Sequence, residues 1–473
     1  MCCLFCKLWL FYIWIFISEA RKYAQETFLD ARRTLKLALP LILAQLLYVG
    51  NGLVDALVAG RLGRLELAAG GIGAGLWFFM SLSGIGLMAG LSTGISQLIG
   101  RREHAQVGSV FTQGLWVGVA TGVFAMAVTP ILLITLPYWS LEPELVPLIV
   151  EFLLPACIGL PAFAVVMACR NVCEATGFTR GVLSVQILGL VVNIFADVAF
   201  GLGWFGFPRL GLFGIGISTS LVSVAMAAAL LLYLRTDRFS RFHLLQHFEW
   251  PRWSKIKPML MLSAPIYMAL VFEAGLFTAT AIQMGMLGTL EAGAHYIAIG
   301  ISAACYMLPL GLSFALTARI GRVYGRRSIA SIRLRIVSGI MLTVAMAITT
   351  AVLLMIFRYQ LTGLYSSDVP LRLFAAQLVV LAALFQLSDG AQVALLGMLR
   401  GLNDTRVPML INAFSYWVIA FTAGYYAAHH LGWGAKGLWG GLILGLSVAS
   451  LLLLIRLRVR LNQVAEELAP AGK

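Results

Sequence analysis

Charge is scarce in this chain. Of 473 residues, 11% are Asp, Glu, Lys or Arg, only 20 are acidic, and 60% are hydrophobic. A mean hydropathy of +0.91 excludes an ordinary soluble globule. Histidine is rarer still, with six residues, of which only His295 falls clearly inside a long apolar run rather than at its end. No His–Asp pair, Asp–Asp metal motif or nucleophile with its base emerges, which argues against an integral-membrane enzyme. The seven cysteines offer no zinc set: Cys3-Leu4-Phe5-Cys6 has no second pair and no nearby histidine. Nor do they pair in the loops between apolar runs, so no disulfide framework is implied. Alternating strand patterns are absent, because the apolar runs are continuous.

Those runs are what the chain does have. Twelve of them reach the ~20 residues a helix needs to cross a bilayer: 35–59, 72–98, 106–134, 146–169, 180–204, 211–234, 258–283, 293–317, 332–357, 372–398, 406–429 and 434–456. The 48 glycines suit close packing of membrane helices. The net charge of +14 is unevenly placed: 27 Lys and Arg lie on one set of loops and ends, against six on the other. Such imbalance is a topology signal, putting both ends of the twelve-helix body in the cytoplasm, rather than a sign of nucleic-acid binding. Residues 1–31 form an N-terminal segment, read as an interfacial stretch or a mis-assigned start. Residues 459–473 form a cytoplasmic tail. His243 and His247 share i, i+4 spacing in the loop 235–257, but a solvated linker is the better reading than a metal half-site.

A shift of 225 residues makes the chain nearly repeat. Leu62-Gly63-Arg64-Leu65-Glu66 returns as Leu287-Gly288-Thr289-Leu290-Glu291, Gly100-Arg101-Arg102 as Gly325-Arg326-Arg327, and Pro40 as Pro265. A period this long is a duplicated bundle, not a solenoid unit. Six spans per copy give both copies the same orientation. The expected fold is therefore an all-α polytopic membrane protein of two parallel six-helix repeats: a first lobe at 32–234, a linker at 235–257 and a second lobe at 258–458. Pro40 and Pro265, at equivalent places in spans 1 and 7, are candidate bend points.

Four acids lie deep inside spans: Asp55, Asp197, Glu273 and Asp389. Each costs about 2.5–3.5 kcal/mol at a helix centre on insertion scales. No Lys or Arg stands mid-span to pair with them, so protonation or cation binding is the expected role. Glu174, near Arg170 and Arg180, reads as a loop acid. Asn193 and Asp197 share a helix face, and Thr219 offers a further oxygen. Four convergent oxygens suit Na⁺, whereas two close carboxylates suit one shared proton. The acids were not duplicated with the scaffold, because Glu273 answers Tyr48 and Asp55 answers Thr280. Gln283, Gln386 and Gln392 suit either a cavity wall or helix–helix bonds, and the aromatic and Met residues around Trp77, Tyr267 and Tyr306 are candidates to line an adaptable apolar pocket.

Leu399-Arg400-Gly401-Leu402-Asn403-Asp404-Thr405-Arg406-Val407-Pro408 resembles a signature of the MATE (multidrug and toxic compound extrusion) family, most of all its bacterial NorM-type branch. Ser388-Asp389-Gly390-Ala391-Gln392 and Val54-Asp55-Ala56-Leu57-Val58-Ala59-Gly60 are similar to the same family, and the resemblance covers about 32–458. It implies a secondary transporter of the bacterial inner membrane that exports cationic, often aromatic compounds against inward Na⁺ or H⁺. A monomer with no cofactor and no partner beyond substrate and lipid is expected. Asp55, Asn193, Asp197 and Thr219 match the family's amino-lobe cation site, and Glu273 and Asp389 match acidic positions of the NorM branch. Asp197 departs from NorM-type members that carry an amide there. A lipid-linked saccharide flippase of the same superfamily is the competing reading.

Overall fold

The computed structural model describes residues 24–139, 142–244 and 249–468. His247 and the segment 1–18, with its C-x-x-C, lie outside them. The described chain is helical, with eleven helices long and apolar enough to cross a membrane and a bent pair that makes a twelfth. They are α1 (Ala24–Leu62), α2 (Arg64–Arg101), α3 (His104–Thr135), α4 (Leu145–Ile158 with Leu160–Thr176), α5 (Thr179–Gly201) and α6 (Leu212–Leu234), followed by α7 (Trp253–Leu287), α8 (Thr289–Gly325), α9 (Ile329–Tyr365), α10 (Val369–Gly401), α11 (Arg406–His429) and α12 (Gly434–Leu468). Each matches one apolar run of the sequence. Most run past it into flanking polar residues, because backbone hydrogen bonding continues beyond the apolar stretch. The break in α4 is a 48° bend at Gly159. Pro161, near the start of the second segment, has no N–H to continue the first.

Repetition extends to the backbone. α1 meets α2, and α7 meets α8, across one residue each, Gly63 and Gly288, over which the carboxylates of Glu66 and Glu291 fold back. A Cβ at either glycine would strike that carboxylate, which accounts for the glycine of the repeated Leu-Gly-x-Leu-Glu. After α2 and α8, Arg102 and Arg327 take left-handed φ angles of 66° and 57°, closing the two basic turns alike.

The chain divides into two compact units, Leu43–Tyr267 and a second made of residues up to Ile42 together with Met268 onward. Both division points follow a proline by two residues, Pro40 in α1 and Pro265 in α7, and they too are 225 apart. Neither proline interrupts its helix.

In the first unit, α2 packs on α3 and on both arms of α4, and α4 packs on α6. The start of α7 lies here. A Cβ on Gly86 of α2 would stand 2.6 Å from the Cα of Tyr267. Ser263 accepts the Gly90 N–H at 3.2 Å. Glycines are required where two backbones approach this closely.

In the second unit, α10 packs against α8, α9 and α12. The first half of α1 lies here. A Cβ on Gly311, the repeat partner of Gly86, would stand 2.8 Å from the Cα of Ile42. Asp30, buried near the start of α1, accepts from Arg319 of α8 at 2.6 Å and from Ser338 of α9 at 2.7 Å. Thr34 also meets Arg319.

Candidate functional site

In the first unit the helices bring three of the four expected residues together. Asn193 of α5 donates one amide hydrogen to Asp55 Oδ1 on α1 at 2.8 Å and approaches Asp197 Oδ2, one turn on, at 3.4 Å. The two aspartates are also within hydrogen-bonding reach of each other. Two carboxyl groups in contact need a proton or a cation between them. Asp197 is fully buried and Asn193 nearly so.

Local backbone geometry sets Asp197. It begins a π-helical turn, Asp197–Gly201, whose wider winding is common where a helix serves a site. The carbonyls freed by this ending are not left bare. Leu210 N–H bonds to Phe200 O at 2.9 Å and Gly211 N–H to Gly201 O at 3.3 Å, so the following loop closes the end of α5.

Thr219 is not joined to the acids by a hydrogen bond; its hydroxyl donates to Ile215 O, one turn back in α6. Its neighbour Ser218 is the residue that reaches this cluster, its hydroxyl donating to the Asn193 carbonyl at 3.5 Å and close enough to Asp197 to act on its charge. Sequence reasoning missed Ser218, although it stands beside Thr219 and a shift of one residue turns a helix by only ~100°. It also missed Asn51, one turn before Asp55 on α1. Asn51, Asn193 and Asp197 each keep a buried Oδ1 with no donor. In an apolar interior an unpaired acceptor costs about 1–3 kcal/mol, so three in one region mark a place suited to a cation.

The second unit gathers Glu273, Tyr306, Asp389 and Tyr416 within one another's electrostatic reach, with Arg400 in reach of Glu273 and Tyr306. Tyr306 of α8 donates to Glu273 Oε1 on α7 at 3.3 Å. Gln392, one turn after Asp389 on α10, bonds to the Tyr416 hydroxyl of α11. Arg400 closes α10, half-buried and within electrostatic reach of Glu273 and Tyr306; it stands at the end of the span, not beside the acids at mid-span.

The first unit has a buried pair of its own, Arg170 Nε to Glu174 Oε1 at 2.8 Å. Glu174 is therefore not a loop acid but a buried residue of α4. The glutamines serve as helix–helix bonds: Gln386 to Ser302 O at 2.8 Å, and Gln283 with His429 at 2.9 Å. Trp77 is tied down by a bond to Ala156 O and by an edge contact with Phe163. No group of three or more His, Cys, Asp or Glu that could hold a metal ion occurs among the described residues.

The MatE family model matches residues 40–199 and again 265–426. The chain belongs to the MatE family. The two matches begin 225 residues apart, at the two prolines. Membership makes the protein a membrane transporter rather than an enzyme. Among its relatives, the "Probable multidrug resistance protein NorM" of Xanthomonas axonopodis pv. citri is 35% identical over 446 residues, covering 93% of this chain and 96% of the relative. The protein of the same name from Shewanella oneidensis is 35% identical over 436 residues, covering 91% and 95%.

Solved structures agree on the fold. The eukaryotic MATE transporter AtDTX14 is similar at a TM-score of 0.86 with 16% identity, covering 94% of this chain and all of that one. The Vibrio cholerae MATE transporter VcmN in its bent form is similar at 0.80 with 18% identity, covering 93% and 99%.

Proposed function

We propose that this MatE protein is a cation-coupled multidrug exporter of the bacterial inner membrane, working as a monomer by alternating access. Multidrug resistance is what its NorM relatives are named for, and export accounts for it in a membrane transporter. The observation that carries the coupling half is the Asp55–Asn193–Asp197 cluster with its unpaired oxygens. Na⁺ is the preferred coupling ion. A proton would sit between the carboxyls of Asp55 and Asp197, but it would leave the amide oxygens of Asn193 and Asn51 without a donor. A hard cation uses them, with Ser218 or Thr219 as a further oxygen.

Glu273 and Asp389 then serve a different step, offering negative charge to a cationic substrate or to proton exchange. Arg400, within electrostatic reach of Glu273, offsets part of that charge until a cation arrives. A lipid-linked saccharide flippase would need unmatched basic residues to hold pyrophosphate. The buried Arg170 is paired with Glu174 at 2.8 Å, and the half-buried Arg400 lies within electrostatic reach of Glu273.

One positive charge moving inward across about 100 mV releases roughly 2.3 kcal/mol before any concentration gradient is counted. That alone drives a modest outward drug gradient. The test is drug–cation exchange in proteoliposomes, with Na⁺ and pH gradients imposed separately. Efflux driven by the Na⁺ gradient at constant pH supports the reading; efflux driven by the pH gradient alone rejects Na⁺ coupling.

A further inference from the structure

The linker is not a slack tether where it enters α7. Gln113, buried on α3, uses both ends of its amide on linker backbone: Nε2 donates to Trp250 O at 3.1 Å, and Oε1 accepts the Arg252 N–H at 2.7 Å. Trp116 donates to Glu249 O at 3.0 Å and its ring stacks on Trp250. The acid of this stretch, Glu249, is taken by Lys255 at 2.7 Å and by Ser109 at 3.0 Å. Lys255 beside it holds the Glu249 carboxyl below its ordinary range, so it stays charged and spends its charge locally.

What this clamp holds in place is unusual for a clamp. Trp250 and Trp253, two copies of the largest side chain, are 74% and 67% exposed, and Arg252 stands exposed between them. Lys257, one turn further along α7, is exposed as well. A connection needed only for length would not use five hydrogen bonds to hold two largely exposed tryptophans in place. The duplicated scaffold carries only part of the feature: Gln25 and Thr27 stand at the repeat positions of Trp250 and Arg252, while the exposed Phe28 and Arg32 stand at those of Trp253 and Lys257.

Indole rings favour the level of lipid headgroups, and guanidinium and ammonium groups favour phosphate. The positive-inside imbalance puts this face at the inner leaflet, where anionic lipid is found. We propose that Trp250, Arg252, Trp253 and Lys257 form a binding site for the headgroup of an anionic phospholipid, fixed in position by Gln113 and Trp116. Charge complementarity decides the occupant: the exposed residues of the site are basic or aromatic, and the acid beside them is already paired.

The test uses the intact protein in nanodiscs of phosphatidylcholine containing a minor fraction of bromine-labelled lipid, either phosphatidylglycerol or phosphatidylcholine. Tryptophan quenching is compared between the unaltered protein and Trp250→Phe/Trp253→Phe, so that the difference isolates these two rings. Labelled phosphatidylglycerol should quench them more than labelled phosphatidylcholine. That preference should fall at least fivefold in Arg252→Gln/Lys257→Gln, roughly the factor expected per basic residue removed. Equal quenching by both lipids in the unaltered protein, which needs no variant to fold, overturns the proposal. So does displacement of the labelled lipid by inorganic phosphate at equal concentration, which would make this a site for a free anion.

Discussion

Asp30 shows how much one acid can carry in a chain so poor in charge. It is buried against Arg319 and Ser338, and removing it leaves a guanidinium in a weakly polar interior with its partner gone. Breaking a buried pair from one side costs about 3–5 kcal/mol. Asp30→Ala should therefore lower thermal stability in detergent sharply, while an exposed change such as Asp237→Ala should not; similar melting temperatures for both would show that the network holds nothing. The transport acids predict a different pattern. Asp55→Asn should cut Na⁺-driven efflux by roughly tenfold or more, as the loss of a charged contact of about 1.5–3 kcal/mol implies. Asp197→Asn should weaken the Na⁺ dependence but leave measurable transport, because an amide still offers one oxygen. Equal, mild losses would move coupling away from this site and toward Glu273 and Asp389.

At the scale of elements, α1 and α7 stand apart because each contributes to both units, with a proline two residues before the change. If those prolines let the helix bend during the cycle, Pro40→Ala should impair transport more than expression, read by efflux against protein yield; unchanged efflux dismisses the bend in α1. The glycines opposite make a paired prediction. Gly86→Val and Gly311→Val each force a side chain onto backbone at 2.6–2.8 Å, and each should cost about 1–3 kcal/mol in thermal stability. The helices themselves were legible in the sequence, since apolar length and continuity specify a span directly. Their partners were not. Period and hydropathy assign the whole of α1 to the first repeat, whereas Ile42 packs on Gly311, a contact between residues hundreds apart that leaves no local pattern. The π-helical turn at Asp197 was equally hidden, because it depends on a returning loop to satisfy Phe200 and Gly201.

The whole molecule repeats a scaffold without repeating its chemistry. Acids were readable as candidates because burying charge is costly enough to need a reason. Which of them meet was not readable: Asp55 finds Asn193 through helix packing, and Ser218 takes the contact expected of Thr219. Orientation is testable with cysteine probes in a background lacking native cysteines. Ser367→Cys should react with an impermeant reagent added outside, and Ala330→Cys should be spared; the reverse would invert the topology and with it the inner-leaflet face of the linker. The central claim is that an inward cation held at Asp55, Asn193 and Asp197 drives drug export. It is tested most directly in proteoliposomes carrying the unaltered protein or Asp55→Asn, with a Na⁺ gradient imposed at constant pH. The account predicts drug movement against its gradient with the unaltered protein and a loss of roughly tenfold or more with Asp55→Asn; Na⁺-driven movement undiminished by Asp55→Asn would contradict it.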